Sequence, residues 1–380
     1  MDLSRSSVTR GEASASRRIR AVDPILLVIS LALTGFGILA VYIAVGSDEG
    51  EAYALNQALG FVAGLIGAVP LALLDYRRLK QYLPVIYGIA VVTLLAVVIA
   101  GISANGAQRW IDIGPVQIQP SEFAKLLVVV VLAGYFAGNR LGDNKTLLKA
   151  LGIIALPTLL VFAQPDLGTT LVFGAVFLAM AFIAGAKLYQ LGVLIATGGA
   201  LAVLAVKLDI LKEYQVARVT AFLDPTESGD VGYQVLQSKT AIGSGGLMGK
   251  GIDATTLANL GFLPEDHTDF IFSNLAERTG FVGGLLLLGL FFVLIWRILR
   301  VATLSRDRFG VLIAVGVGTI FLFHVVVNVG MAMGIMPVTG IPLPFISYGR
   351  SSLVVSVISL GLLQSIAMRS RSEGYKGLEP

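Results

Sequence analysis

The sequence predicts an all-α fold: a polytopic integral membrane protein of about ten transmembrane helices, both termini cytoplasmic, with a large extracytoplasmic loop between spans 7 and 8. Composition is the first reason. Of 380 residues, 56% are hydrophobic and 14% charged, and the mean hydropathy is +0.83, whereas a soluble domain carries about 25% charged residues. No core of this size needs so many apolar side chains, so the excess faces lipid. Span length is the second reason. Apolar runs near the 20 or so residues that cross a hydrocarbon core recur at 24–46, 55–74, 82–101, 119–138, 149–163, 169–186, 191–206, 279–296, 311–335 and 346–368. The third is charge. With the N-terminus inside, the inner segments hold nineteen Lys and Arg and the outer ones six, as the positive-inside rule requires.

The elements follow in order. Residues 1–23 hold Arg5, Arg10, Arg17, Arg18 and Arg20 among serines and read as a disordered basic cytoplasmic tail. Residues 24–368 form the transmembrane domain, and 369–380 a cytoplasmic C-terminal tail. The fifth and seventh spans are short for a crossing. The connection at about 207–270 carries spaced Tyr, Phe, Leu and Val and is expected to fold over the outer mouth of the bundle. Pro337, Pro342 and Pro344 with Gly340 predict a structured outer loop. The pairs Gly60/Gly64, Gly280/Gly284 and Gly330/Gly334 read as helix-packing contacts. There is no cysteine, which excludes a disulfide framework or a thiolate metal site. The basic residues are spread along the chain, so no nucleic acid partner is expected.

Charged residues at membrane depth are the sharpest functional clues, because each costs a few kcal/mol unless paired or hydrated. They gather at the outer ends of the spans. Arg109, Trp110 and Asp112 precede a helix that opens with Pro120, Glu122 and Lys125. Two readings stand for this group: a structural Glu122–Lys125 ion pair with Trp110 as interfacial anchor, or one wall of a polar cavity. Asp166 either caps the next helix or faces the same cavity. The run Gly243–Gly251 is glycine-rich, but Ser244 and Gly251 break the phosphate-loop pattern and no strand precedes it. It reads as a flexible outer loop whose amides could approach a phosphate. A helix starting near Thr268 would put Asp269, Ser273 and Glu277 on one polar stripe facing a cavity. Asp269 would then stand about 12 Å above Glu277. Glu265, Asp266, His267 and Asp269 are also candidate ligands for a divalent cation (Mg or Mn), although their spacing matches no dedicated cage. His324, alone in an apolar span, reads as a satisfied packing residue.

At Gln108–Gly114, Gln119–Lys125, Gln164–Thr170, Gly232–Gly251, Leu263–Phe272 and Asn328–Ser352 the chain resembles the SEDS family (shape, elongation, division and sporulation). The resemblance runs from about Pro24 to Met368, and the stretch Gly334–Pro344 is closer to the elongation branch than to the division branch. The longer basic serine-rich tail leaves the division branch open. Arg350 departs from the family, which usually carries a second glycine after Ser-Tyr-Gly. The resemblance implies a peptidoglycan glycosyltransferase of the bacterial inner (cytoplasmic) membrane. Such enzymes polymerise lipid II, an undecaprenyl-pyrophosphate-linked disaccharide-pentapeptide, at the periplasmic face. Their implied partners are a class B penicillin-binding protein, other elongation-complex proteins and membrane lipids. It implies Asp269 as the essential acid and Arg109, Trp110, Glu122, Lys125 and Asp166 as cavity residues.

The chemistry is compatible. A sugar hydroxyl must attack an anomeric carbon whose leaving group is a pyrophosphate. That group leaves without the proton an alkoxide needs, so one base suffices if cations stabilise the developing charge. Asp269 is the expected base, with Lys125 and Arg109 as pyrophosphate ligands; Arg218, Lys239, Lys250 and His267 are further substrate-binding candidates. No cofactor is demanded. A lipid II flippase is the competing reading, and a non-catalytic scaffold the third. A flippase would carry cavity charges toward the inner side, whereas these gather at the outer ends.

Overall fold

The computed structural model describes residues 22–46, 49–104, 107–114, 116–139, 143–226, 228–252, 254, 256–257 and 267–376. Within them, ten helices are long and apolar enough to cross a membrane. They are α1 (Pro24–Val45), α2 (Gly50–Leu73), a 3-10 turn (Tyr76–Tyr82) running into α3 (Leu83–Ala100), α4 (Pro120–Gly138), α5 (Asn144–Ala163), α6 (Leu167–Ala184), α7 (Leu188–Lys207), α10 (Ile271–Leu304), α11 (Arg308–Ala332) and α12 (Arg350–Lys376). The connection between α7 and α10 holds two shorter helices, α8 (Glu213–Leu223) and α9 (Gly229–Ser244). The two short spans gain a turn or more beyond the apolar run, because α5 begins in the polar Asn144-Lys145-Thr146 and α7 ends at Lys207.

Local chemistry starts several helices. Asp23, Asp166 and Asp307 accept the amides of Leu26, Thr169 and Gly310 at 3.2, 3.1 and 3.0 Å, and Pro24 and Pro120 occupy first turns where no amide bond is lost. Burial sorts the spans. The buried share is 83% for α12, 72% for α11 and 67% for α4, but 6% for α7, so the first three form the centre and α7 stands at the rim. α2 lies flush against α12: a Cβ on Gly64 would come within 2.8 Å of Val357 Cβ. The Gly60/Gly64 expectation therefore holds as a helix contact.

The other two glycine pairs do different work. Gly334 lies beyond the end of α11 with a φ of 71°. Gly280 breaks α10, with φ 68° and ψ −166°. The amides of Phe281 and Val282, freed by the break, donate to Gly246 O and Leu247 O at 2.9 and 3.1 Å. The carbonyls of Glu277 and Arg278 accept from Lys250 N and Gly251 N, both at 3.0 Å. The glycine-rich run is thus spent on stitching a broken span, which satisfies backbone groups that lipid would leave unpaired. α10 also bends there. The Phe272 ring comes within 3.6 Å of a Cβ built on Gly284, although twelve residues of straight helix would separate them by about 18 Å.

Two features were absent from the sequence reading. Three short strands, β1 (Ile102–Ala104), β2 (Ala107–Ile113) and β3 (Val116–Ile118), form an antiparallel sheet, with Ile102 opposite Trp110 and Ile111 opposite Ile118. The tail boundaries also shift. Asp23 is 1% exposed, pairs with Arg297 at 2.5 Å and Arg371 at 3.1 Å, and its backbone N–H donates to, and its carbonyl accepts from, the side-chain amide of Gln364. Arg369 pairs with Asp75 at 3.3 Å. Residues assigned to both tails therefore close one end of the bundle. Residues 1–21 and 377–380 lie outside the described residues.

Candidate active site

At the opposite end, a cavity of about 610 Å³ opens between the sheet, α8 and the loop 333–349. Its wall includes Arg109, Trp110, Arg218, His267 and Asp269. Sharing Gln119, Gly340 and Pro342 with it, a smaller polar pocket of about 30 Å³ reaches into the bundle past Glu122, Lys125, Asp166 and His324. The expected site residues thus divide into an open layer and a buried one.

Asp269 stands in the turn before α10, which starts at Ile271 rather than near Thr268. The expected polar stripe is consequently broken. Ser273 faces α9, its Oγ 2.6 Å from Ser238 Oγ. Glu277, fully buried, accepts Lys250 Nζ at 2.6 Å and the Leu257 amide at 3.2 Å. Neither lines the cavity; Asp269 does, because the turn swings it off the helix axis. The turn is held from behind. Asn328 Nδ2 donates to both Asp269 O and Ile341 O at 2.9 Å, Ser347 Oγ donates to Thr268 O at 2.7 Å, and Tyr348 N donates to His267 O at 2.9 Å. A carboxylate so placed has its backbone fixed while its side chain meets the cavity.

A cation from α8 stands beside it. A Cβ built on Gly340 would lie 3.4 Å from Asp269 Oδ2 and 3.3 Å from Arg218 Nη1, so carboxylate and guanidinium flank one point of the loop. Arg218 also donates to Thr339 O at 3.1 Å and sits over the Tyr214 ring. On the sheet side, Arg109 donates to Pro165 O and approaches Asp166 at 3.9 Å. Its buried Nε donates to no described residue, which leaves a donor for a ligand. His267 packs edge-on to Tyr53 at 5.5 Å and beside Tyr348 at 5.9 Å.

The buried layer is a polar relay. Lys125 Nζ lies 2.7 Å from Glu122 Oε1 and 3.0 Å from His324 Nε2. His324 Nδ1 is 3.0 Å from Pro342 O. A carbonyl only accepts, so Nδ1 carries the proton and Nε2 accepts from the ammonium. His324 therefore joins Lys125 to the same loop that flanks Asp269. Asp166 caps α6 and also lines the small pocket, so both readings of it hold at once. Lys239 and Lys250 are outside the cavity: Lys239 packs its stem on Gly334, and Lys250 is taken by Glu277. Among the described residues no group of His, Asp and Glu is placed to hold a metal ion; Glu265 and Asp266 lie outside them. Sequence reading missed Asn328, Tyr53 and Tyr348. Asn328 was findable, since it sits four residues from His324 on one face of an apolar span.

Known proteins resemble this chain over nearly its whole length. The chain is 40% identical over 348 residues to the peptidoglycan glycosyltransferase MrdB of Escherichia coli, covering 91% of this chain and 93% of that one. It is 35% identical to the peptidoglycan glycosyltransferase RodA of Treponema pallidum, covering 93% and 99%. Among solved structures, one describing coordination of polymerization and crosslinking by a peptidoglycan synthase complex aligns with TM-score 0.77 at 32% identity, covering 92% of this chain and 98% of that one. The rod shape determining protein RodA of Thermus thermophilus aligns with TM-score 0.70 at 29% identity, covering 92% and 97%. The FTSW_RODA_SPOVE family, described as cell cycle protein, matches residues 24–372, and the chain belongs to that family.

Proposed function

We propose that this chain polymerises lipid II into glycan strands at the periplasmic face of the inner membrane during cell elongation, with Asp269 as general base. It is a peptidoglycan glycosyltransferase of the RodA type; the substrate, the side of the membrane and the residue roles are the proposal. One observation carries it: a cavity of about 610 Å³ holds a carboxylate whose backbone is clamped, flanked by a guanidinium, at the loop end of the bundle.

In the step proposed, Asp269 takes the proton of the acceptor hydroxyl as its oxygen bonds to the anomeric carbon. The bond from that carbon to the pyrophosphate breaks, and the leaving group keeps the electron pair. Arg109 and Arg218 offset the charge that develops on it. Lys125 acts from the buried layer, through Glu122 and the loop. No step in this scheme is routed through a divalent cation. A class B penicillin-binding protein is the proposed partner, as crosslinking accompanies polymerization in the similar synthase complex.

Asp269→Asn tests the assignment. It keeps size and hydrogen bonding but takes no proton, so strand formation from lipid II should fall about 10²–10⁴-fold. Lipid II binding and partner pull-down should persist. Normal strands from Asp269→Asn would remove it as the base. A wild-type chain that moved lipid II across vesicles without polymerising it would favour the flippase reading.

A further inference from the structure

The cavity wall carries three arginines, and they differ in what they touch. Arg109 is tied to Pro165 and Asp166 at the turn between α5 and α6. Arg218 is tied to Thr339 and the Tyr214 ring beside Asp269. Arg350 makes no hydrogen bond or ion pair with any described residue. It is the first residue of α12 and partly buried. Its stem lies over Gly60 of α2, the Cγ 3.7 Å from a Cβ built there. Tyr53, Tyr348 and His267 line the same part of the wall, with Tyr53 and Tyr348 rings 4.7 Å apart. A guanidinium at the membrane mouth is costly unless something pairs or hydrates it. The one carboxylate in the lining of this cavity, among the described residues, is Asp269, and it already has Arg218 beside it.

We propose that Arg350 is a ligand for the pyrophosphate of a lipid-linked sugar, forming a second anion position at the Tyr53–His267–Tyr348 end of the cavity. This rests on the polymerase reading, which brings two lipid-linked sugars, each with its own pyrophosphate, into one cavity. Arg109 is anchored to the sheet side and the α5–α6 turn, while Arg350 is anchored to α2 and α12, so the two serve different walls. A guanidinium suits the role because its planar fork meets two phosphate oxygens together.

The test measures binding of undecaprenyl pyrophosphate to the purified full-length chain, with inorganic pyrophosphate and phosphatidylglycerol as separate competitors. Arg350→Ala should weaken binding about tenfold or more, as loss of a charge-assisted hydrogen bond implies. Arg350→Lys should recover part of it, and Arg350→Gln, which keeps the stem, should not. Arg300→Ala, on the exposed far end of α10, is the control and should bind as wild type. In polymerisation assays Arg350→Ala should raise KM for lipid II more than it lowers kcat. Unchanged affinity in Arg350→Ala and Arg350→Gln overturns the proposal. So does a loss confined to phosphatidylglycerol, which would make Arg350 a headgroup contact. Weakened pyrophosphate binding in a chain that never polymerises would instead sink the polymerase reading and keep the anion position.

Discussion

Glu122 and Lys125 were legible as an ion pair from their spacing on one helix, but spacing did not say where the pair would point. Both are almost wholly buried, 4% and 3% exposed, and the pair is completed by His324 from another span. Removing one partner of a buried pair leaves an uncompensated charge and costs about 3–5 kcal/mol, whereas replacing both is often nearly neutral. Lys125→Ala should therefore lower stability and activity together, and Lys125→Arg should lose less of both. Glu122→Gln with Lys125→Met should fold, as read by thermal unfolding in detergent, yet polymerise poorly because the link to the Pro342 loop is gone. Wild-type turnover by that folded double variant would reduce Lys125 to a structural partner. Asp269 is the converse case. Its importance came from resemblance, and its placement came from a turn that no helical periodicity describes.

The element that departs most from a simple reading is α10. An apolar run with an acidic start predicts one straight span, yet the helix breaks at Gly280. A Cβ there would lie 2.3 Å from Gly249 N and 2.6 Å from Leu247 O, at a φ of 68°. Gly280→Ala therefore carries about 1–3 kcal/mol of backbone strain, with the collision added to it. The expected result is a lower unfolding midpoint and reduced strand formation, since the same half-helix follows Asp269. An unchanged midpoint would show that the stitch to Gly246 and Leu247 contributes nothing. At the far end of the bundle, the Asp307 side chain is pushed up by burial. Hydrogen bonds from Tyr76, the Gly310 amide and Arg77, with the charge of Lys80 nearby, outweigh that and hold it below the ordinary carboxylate value. A depressed acid contributes stability above its unfolded pKa and loses it as pH falls through its folded value. Asp307→Asn should thus lower the unfolding midpoint at neutral pH, and the difference from wild type should shrink in strong acid. A difference that does not change with pH would mean the carboxylate charge is not what holds this end.

For the whole molecule the charge asymmetry sets an orientation that impermeant thiol reagents can read in this cysteine-free chain. Ser228→Cys, between α8 and α9, should label in intact spheroplasts, and Ser305→Cys, after α10, only once the membrane is opened. Labelling of Ser305→Cys in intact spheroplasts would invert the topology and place the cavity on the wrong side for a lipid-linked sugar presented outside.

Span number, the long connection after the seventh span and the charged clusters at the loop end were all readable in one dimension. Hydropathy acts on each segment separately, because every span must satisfy its own backbone in lipid. The rest depended on contacts between segments far apart in sequence. Asn328 clamps Asp269 across 59 residues, His324 meets Lys125 across 199, and Asp23 meets Arg297 across 274. Likewise the glycine run looked like a loose loop until its partner, a broken span, was in place. A single buried polar group carries no periodic signal of its own; its partner is chosen by packing, and only the folded bundle brings the two within hydrogen-bond distance.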